Sequence, residues 1–177
     1  MSHEIEKCAF DDVTNRQLFM LELSAKEPLP GVDLGSGYFC CLLACDASNY
    51  TVEEVSELVD PLIDAGCVYF CCWGPDCERV HDIIDESDPY TDSVVMTTWH
   101  DKDTLEDALW FFLNVTWPDA KFENSFNASL AISIGSSEWA SSTRSALEDP
   151  RAFSKMVLDK EERPNLLARV RKFFAKA

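Results

Sequence analysis

The chain has 177 residues, 46% of them apolar and 27% charged, which suits one globular domain that closes its own core. Its longest apolar runs, Tyr38 to Cys45 and Val68 to Trp73, fall far short of the ~18 residues a membrane span needs, and the first residues lack the basic and apolar regions of an export signal. Thirty-two acidic residues against fifteen Lys and Arg give a net charge of −17, which disfavours nucleic acid and anionic membrane as partners and makes a cytoplasmic protein the expectation.

Taken in order, Gln17–Leu23 reads as a strand, and the stretch from Lys26-Glu27-Pro28 to Gly35-Ser36-Gly37 reads as loop. Tyr38–Cys45 is apolar throughout and has the length of a buried strand. Thr51-Val52-Glu53-Glu54 is a capping box; Val52, Val55, Val59 and Leu62 follow at helical spacing, Gly66 stops the helix, and Pro61 is expected to bend or shorten its last turn. Cys67–Trp73 is a second buried run, after which Gly74-Pro75 opens a helix with Cys77, Val80, His81 and Ile84 on one face. Ser93–Trp99 is a third such strand. Asp103 and Glu106 are expected to cap a helix whose Leu105, Ala108, Leu109, Phe112 and Leu113 form a broad apolar face, ended by Trp117-Pro118. Leu130–Gly135 is the last strand, a helix is expected from about Ser137 to Leu147, and Pro150 breaks the alternation.

Wholly apolar strands that alternate with helices are buried on both faces. The expected fold is therefore α/β, a three-layer sandwich with a mostly parallel sheet of about four or five strands and helices on both faces. Residues 1–36 supply a strand and a loop covering the sheet edge, 37–150 form the core domain, and 151–177 form a basic C-terminal amphipathic helix with Leu166, Leu167, Val170, Phe173 and Phe174 as its apolar stripe. From Arg151 onward, eight basic and three acidic residues give +5, so residues 1–150 carry −22. A body that acidic favours a basic or neutral protein partner.

In a parallel sheet, ligands gather at the carboxyl ends of the strands. The sequence delivers Asp46 there after one strand, Trp73 and Asp76 after the next, Trp99 and His100 after the third, and Ser136, Ser137 and Glu138 after the last. Cys77 falls in the first turn of its helix, where the dipole favours a thiolate, and His100, at the end of the next strand in sequence, is its candidate base, with Asp76 or Asp101 to orient it. Cys77 also shares its face with Val80 and Ile84, so a core role stands beside the catalytic one. The eight cysteines lie at 8, 40, 41, 45, 67, 71, 72 and 77. Adjacent cysteines on a strand point to opposite faces, and cysteines four apart on a strand are about 13 Å apart, so no metal site is expected. No nucleotide-binding glycine motif occurs and no cofactor is implied; Gly135-Ser136-Ser137 after a strand is ordinary turn chemistry as well as a weak anion-site signal.

Two resemblances rest on these residues. Phe70-Cys71-Cys72-Trp73-Gly74-Pro75-Asp76-Cys77 resembles the thioredoxin active-site motif over about a dozen residues. It departs in placing four residues between Cys72 and Cys77 rather than two, and in lacking a later Thr-Pro or Ile-Pro for the facing loop. The pattern C-W-G-P-D-C-E-x-x-H-D followed by T-T-W-H, within residues 37 to 135, resembles a small bacterial domain family of uncharacterised function; that likeness implies an alternating α/β architecture and a cytosolic setting, with no activity. The leading expectation is a non-enzymatic interaction or regulatory module, of the immunity or inhibitor kind. The alternative is a small thiol-dependent enzyme using Cys77 with His100, or the Cys72/Cys77 dithiol.

Overall fold

The computed structural model of the chain describes residues 4–35, 37–87 and 94–160. In chain order the elements are β1 (Glu6–Asp11), β2 (Arg16–Leu23), β3 (Tyr38–Ala44), α1 (Val52–Asp64), β4 (Cys67–Trp73), α2 (Cys77–Ser87), β5 (Met96–Trp99), α3 (Leu105–Asn114), β6 (Phe126–Ile134), α4 (Ser137–Glu148) and α5 (Pro150–Asp159). The strands make one mixed sheet in the order β1-β2-β6-β3-β4-β5. β2, β6, β3, β4 and β5 run parallel, and β1 joins antiparallel at the edge beside β2.

The expected strand count of about four or five is corrected to six. The strand missed is β1, whose Glu6-Lys7-Cys8-Ala9-Phe10-Asp11 mixes charged and apolar residues because an edge strand is half solvated. β2 lies inside the sheet, paired to β6 from Gln17 against Ala128 to Leu23 against Ile134. This brings the loop after Leu23 to the carboxyl edge of the parallel strands.

Side-chain alternation sorts the core. Cys41, Leu43, Phe70, Cys72, Leu130 and Ile132 join Val55, Val59 and Leu62 of α1 and Val80 and Ile84 of α2 in one cluster. Their sequence neighbours Cys40, Leu42, Cys71 and Ala131 join Leu109 and Phe112 of α3 and Ala140 and Leu147 of α4 in another. Each adjacent cysteine pair is thus split between the two clusters, as a period of two requires.

The Thr51/Glu54 capping box forms as read, with the Glu54 amide donating to Thr51 Oγ1 and the Thr51 amide to Glu54. α1 runs through Pro61 to Asp64; a proline this near the end removes a bond from the final turn only. The cap of α3 is corrected by one residue. Thr104 and Asp107 make the reciprocal box, and Asp103 is turned instead to His100. Pro150 does not end the order but starts α5, as its first residue under an Asp149 cap. The amphipathic segment read over residues 165–176 lies outside the described residues.

The two loops leaving β3 and β4 are zipped together beyond the sheet. Cys45 N–H donates to Trp73 O and Ala47 N–H to Pro75 O, each at 3.0 Å. Arg79 reinforces them, donating from Nε to Asp76 at 2.7 Å and from Nη2 to Ala47 O and Tyr50 O at 2.7 and 3.0 Å. β3 and β6 are neighbours whose following helices enter different clusters, α1 the first and α4 the second. Their carboxyl ends form the crevice where such sheets bind ligands.

Candidate functional site

Cys77 is the first residue of α2 and is buried among Val80, Ile84 and the strand cysteines of the α1–α2 cluster. Burial pushes its thiol above the ordinary value, opposed by the His100 backbone amide and reinforced by the charge of Asp101. Cys72 lies in the same cluster, and burial raises it further, with Cys71, Cys41 and Cys77 adding to the effect. Both are free thiols. The expected help from the helix dipole is outweighed because the sulfur is enclosed by apolar side chains, and an anion there has no water.

His100 is nearby in backbone only. Its amide donates to Cys72 O, while its ring is packed on Phe111 of α3 with centroids 4.8 Å apart. Both ring nitrogens are engaged, Nδ1 with Asp103 at 2.8 Å and Nε2 with Thr98 at 3.2 Å. Phe111 belongs to the cluster opposite the one that holds Cys77. The structure therefore brings Cys72 and Cys77 together and turns the His100 imidazole to the other side of the sheet. Among the described residues, no three His, Cys, Asp or Glu side chains converge as metal ligands would.

The remaining expected site residues divide into structural and open groups. Asp76 is held by Arg79. Asp46 is exposed, and hydrogen bonds from Ser48 hold its carboxyl below the usual range. Trp73 donates its indole N–H to Asp103 O at 2.9 Å and meets Trp139 edge-on at 5.0 Å. Trp99 lies on the other side of the sheet against His81, 4.5 Å between centroids. Ser136 caps α4 by accepting from the Trp139 amide, and Ser137 and Glu138 form the exposed first turn of that helix.

A cavity of about 240 Å³ opens elsewhere on the same edge, between residues 26–29 and the start of α1. Lys26, Glu27, Tyr50, Glu54 and Glu57 supply its polar lining, with Leu29, Leu58 and Ile134 among the apolar wall. Lys26 Nζ reaches both oxygens of Glu54 at 2.8 and 2.9 Å and sits 5.4 Å from the Tyr50 ring centre. The Lys26 amide donates to Tyr50 Oη at 2.8 Å, fixing the loop on the helix. None of these residues reads from sequence as a site residue: Lys26 and Glu27 fall in the loop expected to cover the sheet edge, and Glu54 reads as a helix cap alone. One signal was present: Lys26 is the sole basic residue between Arg16 and Arg79.

Among the described residues, burial raises the thiols of Cys41, Cys67, Cys71, Cys72 and Cys77, and lifts Cys45 to about 11. A thiol whose folded value exceeds its unfolded value of roughly 8.5 binds its proton more tightly in the native state. The stabilisation is complete below that unfolded value and is lost as pH rises towards the folded one. We expect the melting temperature to be flat from neutral pH to about 8.5 and to fall steadily towards pH 11. Native iodoacetamide labelling read by peptide mass spectrometry should leave Cys72 and Cys77 unmodified until the protein unfolds. Rapid labelling of Cys77 below its ordinary thiol range would contradict both the burial and the sign.

Among the described residues, no helix is long and apolar enough to cross a membrane. No curated protein matches the chain. A sequence-family model described as "Domain of unknown function (DUF7684)" matches residues 18–150, from the third residue of β2 to the first residue of α5. This span holds the five parallel strands, both core clusters and the whole carboxyl edge, and the chain belongs to the DUF7684 family.

Proposed function

We propose that this chain is a non-enzymatic interaction module, of the regulatory or inhibitor kind, whose α1–α2 face docks a basic protein partner. We read the two core clusters as the inner sides of a three-layer sandwich, with α1 and α2 side by side as one outer layer. The observation that carries the reading is the unequal charge of the two helical faces. α1 and α2 together hold nine carboxylates against one arginine, while α3, α4 and α5 hold five against three basic residues.

On α1, Glu53, Glu57, Asp60 and Asp64 recur at helical spacing and are all exposed; on α2, Glu78, Asp82, Asp85 and Glu86 do the same. Like charges at this spacing destabilise a helix by about 0.2–0.5 kcal/mol per pair. A fold does not need that repulsion, and a basic partner relieves it. Two further points support a binding role over a thiol enzyme: Cys72 and Cys77 are enclosed with raised thiols, and the His100 ring is occupied by Asp103 and Thr98.

The test uses a variant with Glu53→Gln, Glu57→Gln, Asp60→Asn and Asp64→Asn beside Cys72→Ser/Cys77→Ser. The first is expected to be more stable than the parent by about 1 kcal/mol, as urea denaturation reads it. A protein retained by the immobilised parent should be lost with this variant and kept with the serine variant, and its affinity should fall with rising salt. Equal retention by the fourfold amide variant, or loss of retention with the serine variant, sinks the proposal.

A further inference from the structure

We propose that the cavity between residues 26–29 and the start of α1 receives one arginine side chain of the basic partner; this rests on the reading of the α1–α2 face given above. The cavity and the acidic stripe are continuous, because Glu57 belongs to both. Among the described lining residues, Glu54 and Glu57 face a single ammonium, that of Lys26, so this trio leaves the cavity with a net negative charge.

Lys26 shows how a cation is held there, chelated by both Glu54 oxygens and lying over the Tyr50 ring. With Lys26 engaged by Glu54, the Glu57 carboxylate stands exposed beside it. Pro28, Leu29, Leu58 and Ile134 offer apolar wall to an aliphatic stem. At about 240 Å³ the space is smaller than the roughly 300 Å³ where small-molecule pockets begin, and it suits a side chain better than a cofactor. A guanidinium is weakly hydrated, planar and able to lie on an aromatic face while bonding carboxylates, which a half-apolar cavity favours over a second ammonium. The arginine would anchor the partner at one end of the stripe, with the remaining carboxylates steering its approach.

The experiment is an NMR titration of the isotope-labelled full chain with N-acetyl-argininamide, and in parallel with the neutral analogue N-acetyl-citrullinamide. The expected result is saturable shifts at the Tyr50, Glu57 and Leu58 amides, in the millimolar range that an isolated side chain supplies. Citrullinamide should bind roughly tenfold more weakly, since it lacks the charge-assisted bonds. Glu57→Gln should weaken argininamide binding roughly threefold and Lys26→Met, which removes the resident cation, should tighten it roughly threefold. Asp64→Asn, about 10 Å along the helix from Glu57, should change nothing. Equal shifts from both probes, or unsaturable shifts spread from Glu53 to Asp64, overturn the cavity assignment while leaving the acidic face intact. If the probe saturates the cavity but partner retention ignores the stripe substitutions, the face fails, and the assignment to a partner's arginine fails with it.

Discussion

Replacing Gly74 by alanine is expected to destabilise the fold by about 4 kcal/mol or more, the largest effect of any conservative single substitution on the carboxyl edge. Gly74 has φ +116°, and a Cβ built there lies 2.3 Å from the Cys45 carbonyl oxygen and 3.0 Å from its carbon. Both obstacles are backbone, so no rotamer change relieves them. The chain would have to part the ends of β3 and β4, breaking the Cys45–Trp73 and Ala47–Pro75 hydrogen bonds and the grip of Arg79 on Ala47 and Tyr50. Because Tyr50 also lines the cavity, the loss of that grip should be felt at the Lys26 loop. Gly31→Ala is the control: nothing lies within 4 Å of its Cβ position, and its effect should stay within about 0.5 kcal/mol. Urea unfolding of the two variants measures the contrast. A change below about 1 kcal/mol at Gly74 would mean that the two loops are not locked as described.

The second large effect concerns Arg16, which is 1% exposed at the start of β2. Its guanidinium donates to Thr116 Oγ1 at 2.8 Å, to the Leu113 carbonyl at 2.7 Å and to Cys40 Sγ at 3.3 Å, and lies 5.5 Å from the Phe126 ring centre. No carboxylate is among these three bonded partners. The compensation is dipolar: Leu113 is in the last turn of α3, where unpaired carbonyls present the negative end of the helix. Asp11, paired with Arg16 across the β1–β2 ladder, spends its oxygens on the Val13 amide and the Thr14 hydroxyl. Among the described residues, Nε of Arg16 is buried without a hydrogen-bond partner.

Arg16→Ala removes these bonds and leaves a cavity, and is expected to cost about 3–5 kcal/mol. Arg16→Met fills the space with an uncharged side chain and removes the cost of burying a charge. Its effect should be smaller by at least about 2 kcal/mol. Equal losses in the two variants, measured by chemical denaturation, would show that the capping of α3 outweighs the burial of the charge.

The two effects share an origin. Gly74 and Arg16 each hold together segments far apart in sequence, and neither stands out in a periodicity plot. Gly74 was legible as part of a Gly-Pro pair opening a helix, yet the Cys45 carbonyl that forbids a side chain there lies beyond the end of another strand. Arg16 reads as a polar residue before a strand; only the packing of α3 across β3 and β4, which brings Leu113 to the Arg16 guanidinium, makes it a buried cap.

Sequence alone determined the α/β class and most of the elements. Wholly apolar runs at Tyr38–Cys45 and Cys67–Trp73 have no other stable place than a doubly covered sheet, and the Thr51/Glu54 box starts a helix by local hydrogen bonding alone. The splitting of adjacent cysteines between two faces follows from the pleat. The excess of carboxylates on residues 52–86 is likewise written in the chain.

Tertiary structure decided what those residues do. Strand order placed β2 beside β6, and so carried Lys26 and Glu27 to the carboxyl edge; pairing between parallel strands leaves no local mark in either one. It also set the His100 ring against Phe111 and enclosed Cys77 among α2 and the strands, because solvent exposure, which governs whether a thiol ionises, is a property of the assembled core. Spacing supplies the types of group present at a sheet edge. Which of them face the same side, and which face water, is settled only when the strands are in order.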